Sequence, residues 1–168
     1  MLDSYFKARL VMTITTCLFS TIGLLAADES FEAPATGRFI FGPSLGQELL
    51  KQCSRATPQG VSGFWKPSTH DIDGLELALP KYLAAREKAG QQIPPKAESY
   101  HRQYIGFSIG SDRLIYGNFY PGSAATGFWK DKESKQALGV CDGGPVFWGI
   151  VFRLSTKAFE DIRFNGLG

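Results

Sequence analysis

The chain is short of the residues that carry most enzyme chemistry. Its 168 residues include only two histidines, three cysteines and two methionines. His70 stands beside Asp71 and near Asp73, and at helical spacing His70 and Asp73 share a face. Two or three such ligands without a further histidine make a poor metal site, so neither a metal nor another cofactor is expected. Glycine-rich phosphate loops are absent as well. Gly143-Gly144 has no helix pattern after it and no lysine or threonine to complete a phosphate cradle. The string Gly106-Phe107-Ser108-Ile109-Gly110 has the letters of a nucleophile elbow. It sits in a strand pattern with no helix to follow, which excludes that geometry. No basic run exists either: the formal charge is +2 and the lysines and arginines are dispersed. Nucleic acid needs a concentrated basic surface and is excluded as a partner. Internal repeats and low-complexity stretches are also missing.

What the chain does have begins at its N-terminus. Lys7 and Arg9 precede an apolar run from Leu10 to Ala27, which ends in Leu24-Leu25-Ala26-Ala27 before Asp28-Glu29. Residues 1–27 therefore read as a secretory signal peptide, cleaved after Ala26 or Ala27. The competing account is an uncleaved membrane anchor, the one way this chain would meet a membrane. Thr13, Thr15, Thr16 and Thr21 dilute the run, and its length is marginal for spanning. Export places the protein in the periplasm or outside the cell. It also leaves two cysteines, Cys53 and Cys141, which in an oxidising compartment are expected to pair. Such a bond closes a loop of roughly ninety residues, worth about 4–5 kcal/mol on the chain-entropy treatment.

The clearest structural signal lies near the C-terminus. Val146 to Leu154 (VFWGIVFRL) is apolar on both alternating faces, Val146, Trp148, Ile150 and Phe152 against Phe147, Gly149 and Val151. A strand apolar on both sides needs cover on both and belongs inside its sheet. Ser155-Thr156-Lys157 is a short turn, with Lys157 obliged to tolerate positive φ, and Ala158 to Phe164 is the returning strand. Upstream, Tyr100 to Ile109 alternates, Gly110 to Arg113 is a turn, and Leu114 to Tyr120 pairs back as a hairpin. Ala137 to Cys141 reads as a short lead-in strand.

Two helices precede the strands. Ser44 with Gln47 matches a capping box before Leu45, Leu49 and Leu50, predicting a helix from Leu45 to about Ser54 with Cys53 in its last turn. Ser68 with Asp71 marks a second start, and Ile72, Leu75, Leu79 and Leu83 form one apolar face that Glu76 interrupts. Pro80 is expected to kink or break that helix, which Tyr82 to Lys88 continues and Gly90 ends. Gln91 to Ala97, with Pro94-Pro95, is an extended linker. The expected organisation is a signal peptide (1–27), a flexible leader (28–43) and one α+β domain (44–168); within the leader Arg38 to Gly42 (RFIFG) is a short apolar piece, either an edge strand or a segment packed on the domain. In that domain N-terminal helices pack on a roughly four-stranded antiparallel β-meander.

Aromatic residues make up 13% of the chain, and they supply the binding candidates. Phe64-Trp65, ahead of the second helix, either pack beneath it or anchor a partner. Phe128-Trp129 interrupt a long polar loop, a common setting for recognition residues. Tyr100, Tyr104, Tyr116, Tyr120, Trp148 and Phe152 supply an aromatic sheet face, with Arg102 and Asn118 among them, that is either core or a partly open contact surface for a partner or ligand. The strings FWKPS, QYIG, CDGG, FWGI and FNG together resemble small exported bacterial proteins of uncharacterised function, over Phe64 to Gly166. That resemblance implies export and a single domain and brings no activity with it. The expected function is an exported, disulfide-stabilised binding module that contacts an envelope or secreted protein, or a ligand, without catalysis. The alternative is a small envelope hydrolase or transferase built on His70 and Asp71 or on His101.

Overall fold

A computed structural model describes residues 37–96, 100–125, 132–160 and 162–168. The signal segment, most of the leader, and Phe128 and Trp129 lie outside the described residues. The fold combines helices with a mixed sheet of seven strands, against an expected four. In chain order these are β1 (Arg38–Ile40), α1 (Gly46–Leu50), β2 (Gly63–Trp65), α2 (Thr69–Lys88), β3 (Tyr100–Ile109), β4 (Asp112–Pro121), β5 (Trp148–Arg153), β6 (Ala158–Phe159) and β7 (Arg163–Phe164). Short 3₁₀ turns cover Pro43–Leu45, Gly122–Ala125 and Gly144–Val146. Among the described residues no helix is long and apolar enough to cross a membrane.

The sheet grows from the β3–β4 hairpin, whose strands pair over ten residues from Tyr100 opposite Pro121 to Ile109 opposite Asp112. Gly110, at φ +58, makes the two-residue turn that joins them. β5 adds antiparallel to β4, and β6 and β7 both add to β5. On the other side β3 takes two short edge strands. β1 is parallel to its first half and β2 antiparallel to its second. β1 is the edge strand that the apolar piece Arg38 to Gly42 offered, so packed structure starts ahead of residue 44. The expected returning strand after Lys157 is split into β6 and β7. Lys157 does hold the left-handed conformation, at φ +51. Ala137 to Cys141 forms no strand.

Register decides which residues share a face. Tyr104 lies opposite Gly117, and Phe119 lies opposite both Arg102 and Trp148. One face therefore carries Tyr100, Arg102, Tyr104, Ile115, Phe119, Trp148, Ile150 and Phe152. The other carries His101, Gln103, Ile105, Phe107, Tyr116, Asn118, Tyr120 and Val151. α2 covers the first face. Ser68 and Asp71 form the reciprocal capping box that starts the helix, and Ile72, Leu75 and Leu79 are buried against Tyr104, Phe119, Trp148 and Phe152. Each such aliphatic side chain contributes about 1.5–3 kcal/mol by leaving water. α2 runs through Pro80 without interruption from Thr69 to Lys88. The proline still removes the N–H that the Glu76 carbonyl would have accepted.

The second face packs on Phe41, Leu49, Leu50 and Ala137 and then becomes polar. α1 stops at Leu50, short of the expected Ser54, and Ser44 makes no side-chain cap. Gln52 to Arg55 are held by distant parts of the chain. Gln52 Nε2 donates to the Leu138 carbonyl at 3.2 Å, and the Gly166 N–H donates to Ser54 Oγ at 3.3 Å. Cys53 is disulfide-bonded to Cys141 across 88 positions, with Cα atoms 5.0 Å apart. Arg55, 7% exposed, donates Nε to the Tyr116 hydroxyl at 3.0 Å, Nη1 to Asn165 Oδ1 at 2.7 Å, and Nη2 to Asn118 Oδ1. Tyr116 reaches Arg55 by passing over Gly149, where a Cβ would stand 2.4 Å from its hydroxyl oxygen. Only glycine leaves that path open.

Candidate functional site

α2, the linker after it and the first sheet face enclose a cleft of about 760 Å³. The helix contributes Leu79, Pro80, Leu83 and Ala84 to its wall, and the linker contributes Ile93, Pro94 and Pro95. Its floor is aromatic. Phe119 and Trp148 stack with centroids 3.8 Å apart and planes 12° from parallel, and Tyr100 meets Trp148 edge-on at 5.7 Å. The linker is fastened to this floor because the Tyr100 hydroxyl donates to the Pro95 carbonyl at 3.1 Å. Proline suits the strap: its fixed φ lowers the entropy lost on docking, and its missing N–H asks for no partner.

Four charged side chains line the cleft: Glu76, Glu87, Lys96 and Arg102. Glu76 Oε1 accepts from Arg102 Nε at 2.7 Å and from the Tyr104 hydroxyl at 2.8 Å, with Arg38 Nε at 3.7 Å. Arg38 in turn donates to Asp73 at 2.7 Å. These two arginines and two acids neutralise one another at one end. Burial pushes the Tyr104 hydroxyl well above its ordinary value, and the negative charge of Glu76 adds to that rise. Burial also raises Tyr100, with the Trp148 indole N–H nearby pulling the other way. That indole nitrogen is itself buried, with the Tyr100 hydroxyl beside it.

The residues singled out from sequence distribute elsewhere. Tyr104 lies under the cleft floor, fully buried, and Tyr116 is 2% exposed on the opposite face. The two tyrosines therefore form no common surface. Across a β-ladder the pairing register, not the parity of residue numbers, decides which face a side chain takes. Burial pushes the Tyr116 hydroxyl up, and the charge of Arg55 pulls it back. Phe64 and Trp65 are half-buried in β2. Trp65 lies over Gly106, donates Nε1 to the Phe107 carbonyl at 3.1 Å and carries the Arg113 guanidinium 3.8 Å above its ring. Both aromatics thus close the sheet edge.

The histidines occupy two different environments. His101 Nδ1 lies 2.8 Å from Glu133, which also accepts from the Tyr120 hydroxyl at 2.9 Å. Burial is the main reason that hydroxyl is raised, with Glu133 adding to it. His70 is exposed and borders a separate hollow with Asp71, Leu77, Phe152 and Lys157. Asp71 is occupied by its cap: it accepts from the Ser68 hydroxyl at 2.7 Å and from the Ser68 N–H at 2.9 Å, and those bonds hold its carboxyl below the usual range. Among the described residues no three His, Cys, Asp or Glu side chains converge as metal ligands.

Sequence reasoning placed Tyr100, Trp148 and Arg102 on an aromatic face that could bind, and missed the wall of α2 and the Pro94-Pro95 linker that make a cleft of it. The usable signal was a diproline joining an apolar helix to an aromatic strand. Compared with known proteins, the chain matches no family model, no curated protein and no solved structure.

Proposed function

We propose that this chain is an exported, disulfide-stabilised binding module that holds a ligand in the cleft between α2 and the sheet and carries out no reaction on it. Its scaffold on this reading is α+β, with N-terminal helices packed on the antiparallel meander β3–β6. One observation carries the reading: an apolar, aromatic-floored cleft with few polar groups, of the volume and composition that small-molecule sites have. The histidines support catalysis less well, since His101 is engaged by Glu133 and His70 stands exposed beside a capping aspartate.

The cleft can be filled without disturbing the core. Ala84 lines it and is itself exposed, so Ala84→Trp adds a ring in open space. The wild-type protein is expected to bind anilinonaphthalene sulfonate saturably at one site, with the blue-shifted emission of an apolar environment. Ala84→Trp should abolish that binding while circular dichroism and the melting midpoint stay unchanged. Equal binding by the filled variant would remove the cleft from consideration.

Export rests on the N-terminal pattern, and a disulfide is at home in an oxidising compartment. Protein recovered from the cell envelope is expected to have the intact mass of a chain starting at Asp28 or Ala27. A mass that retains residues 1–27 would instead favour a membrane anchor.

A further inference from the structure

The strap that closes the cleft shows what kind of ligand its floor accepts, on the premise that the cleft is the binding site. We propose that the cleft takes an extended, proline-rich segment of a partner protein, and that the chain's own Pro94-Pro95 is the resident occupant which that segment displaces. Proline fixes its own φ and keeps the residue before it out of the helical region. Ile93 and Pro94 both precede a proline, so the strap is confined to the extended, polyproline-like conformation, and residues 91–96 form neither helix nor strand. Pro94 is buried, while Gln91, Gln92, Pro95 and Lys96 are exposed. One ring therefore sits in the cleft, and the carbonyl of the next residue, Pro95, accepts the Tyr100 hydroxyl at 3.1 Å. A proline ring laid in an aromatic-lined groove is the way such segments are recognised.

The polar chemistry of the floor suits the same class. Tyr100 presents a hydroxyl donor, with the Trp148 indole beside it. Glu76 is taken up by Arg102 at 2.7 Å and by the Tyr104 hydroxyl at 2.8 Å. The floor thus offers a ligand backbone a donor without a matching acceptor. A proline run has carbonyls and no N–H, so it satisfies that donor and buries no orphan of its own, as an ordinary peptide would. Leu79, Pro80 and Leu83 give the saturated rings an apolar wall. The strap is also lightly held. Among the described residues its hydrogen bonds beyond Gln91 come from side chains, Tyr100 to Pro95 and Arg86 Nε to the Gln92 carbonyl at 3.4 Å. A segment with so few fastenings opens locally at small cost. Phe119 and Trp148 are 3% and 2% exposed with the strap in place, so a ligand reaches the floor as the strap lifts. Being tethered, the strap competes at an effective concentration of about millimolar, which keeps the partner's segment weakly bound until the strap is disabled.

The test titrates the full chain with acetyl-hexaproline amide, and with a capped glycine–serine hexapeptide as control, by calorimetry and proton–nitrogen correlation spectra. Hexaproline is expected to bind, to compete with anilinonaphthalene sulfonate and to shift the indole resonance that Trp148→Phe removes. The control should do none of these. Changing Pro94→Gly together with Pro95→Gly disables the strap without altering the floor, and should tighten hexaproline about tenfold. In that background Tyr100→Phe should cost hexaproline about fivefold, the worth of one hydrogen bond. The comparison of the two peptides on the wild-type chain needs no variant to fold. Equal binding of the glycine–serine peptide, or no gain from releasing the strap, would overturn the ligand class and leave the cleft as the site. The ligand class falls in the same way if neither wild-type nor strap-released protein binds hexaproline while anilinonaphthalene sulfonate still binds in an Ala84-dependent way. Hexaproline binding that survives Ala84→Trp unchanged overturns the ligand class, and anilinonaphthalene sulfonate binding that survives it overturns the cleft as well.

Discussion

Arg55→Ala is expected to cost about 3–5 kcal/mol of folding stability, far more than a surface arginine would. The guanidinium is buried and, among the described residues, faces no carboxylate. Its partners are three neutral oxygens on β4 and the C-terminal segment: Tyr116 Oη, Asn118 Oδ1 and Asn165 Oδ1. Both asparagines have a second task. Asn118 Nδ2 donates to the Leu138 carbonyl at 2.9 Å, and Asn165 Nδ2 donates to the carbonyls of Val140 at 2.6 Å and Asp142 at 3.1 Å. Gln103 completes the set by accepting the Leu138 N–H at 2.8 Å. Truncating Arg55 therefore leaves three buried acceptors short of a donor, at about 1–3 kcal/mol for each that water does not reach. Lysine is not a substitute. A single ammonium cannot direct three N–H groups along the diverging lines that the planar fork provides, so Arg55→Lys should remain about 2 kcal/mol or more below wild type. Urea denaturation of the three proteins measures both differences. A loss under about 1 kcal/mol for Arg55→Ala would mean that the network is a consequence of the fold and not a support of it. A double-mutant cycle with Asn165→Ala should give a coupling of about 0.5–3 kcal/mol, since the two side chains share one bond.

Why that network was invisible in the sequence, and the helix α2 was not, comes down to the range of the interactions. The Ser68–Asp71 capping box and the spacing of Ile72, Leu75 and Leu79 act within a few residues, and the structure has them as read. The β3–β4 hairpin was equally legible, because alternation and Gly110 define it locally. β1 and β2 are three residues each, too short to show a period; the apolar run RFIF still marked β1, whereas β2 exists only because β3 offers it an edge. α1 was overextended for the opposite reason. Gln52 to Arg55 would continue a helix on local grounds, but their side chains are claimed by Leu138, Cys141, Asn165 and Gly166. The cleft is a product of the same distance effect. Its floor joins residues 100, 119 and 148, and its walls come from α2 and the linker, so no window of sequence contains it. Phe64-Trp65, the most conspicuous aromatic pair in the described residues, is half-buried in the edge strand β2.

The Cys53–Cys141 bond was legible from compartment and arithmetic, and its removal is the second large effect expected. Reduction, or the double change Cys53→Ser with Cys141→Ser, should lower stability by about 4–5 kcal/mol on the chain-entropy treatment for a loop of this length. Both cysteines are exposed, so a reductant reaches the bond without prior unfolding. The effect differs in kind from that of Arg55. Cutting the bond leaves the native hydrogen bonds of Gln52 and Ser54 in place and chiefly frees the unfolded chain, whereas Arg55→Ala damages the folded state itself. The reduced protein should therefore keep its near-ultraviolet dichroism at low denaturant and unfold at a lower urea concentration with a steeper dependence, because its unfolded chain exposes more surface. Because Cys53 and Arg55 are neighbours in one polar hub, their effects should fail to add, and reduced Arg55→Ala protein is the variant most exposed to unfolding. A urea midpoint that does not move on reduction would show that the hub alone holds the C-terminal segment, and the disulfide would then be a product of folding with no part in stability.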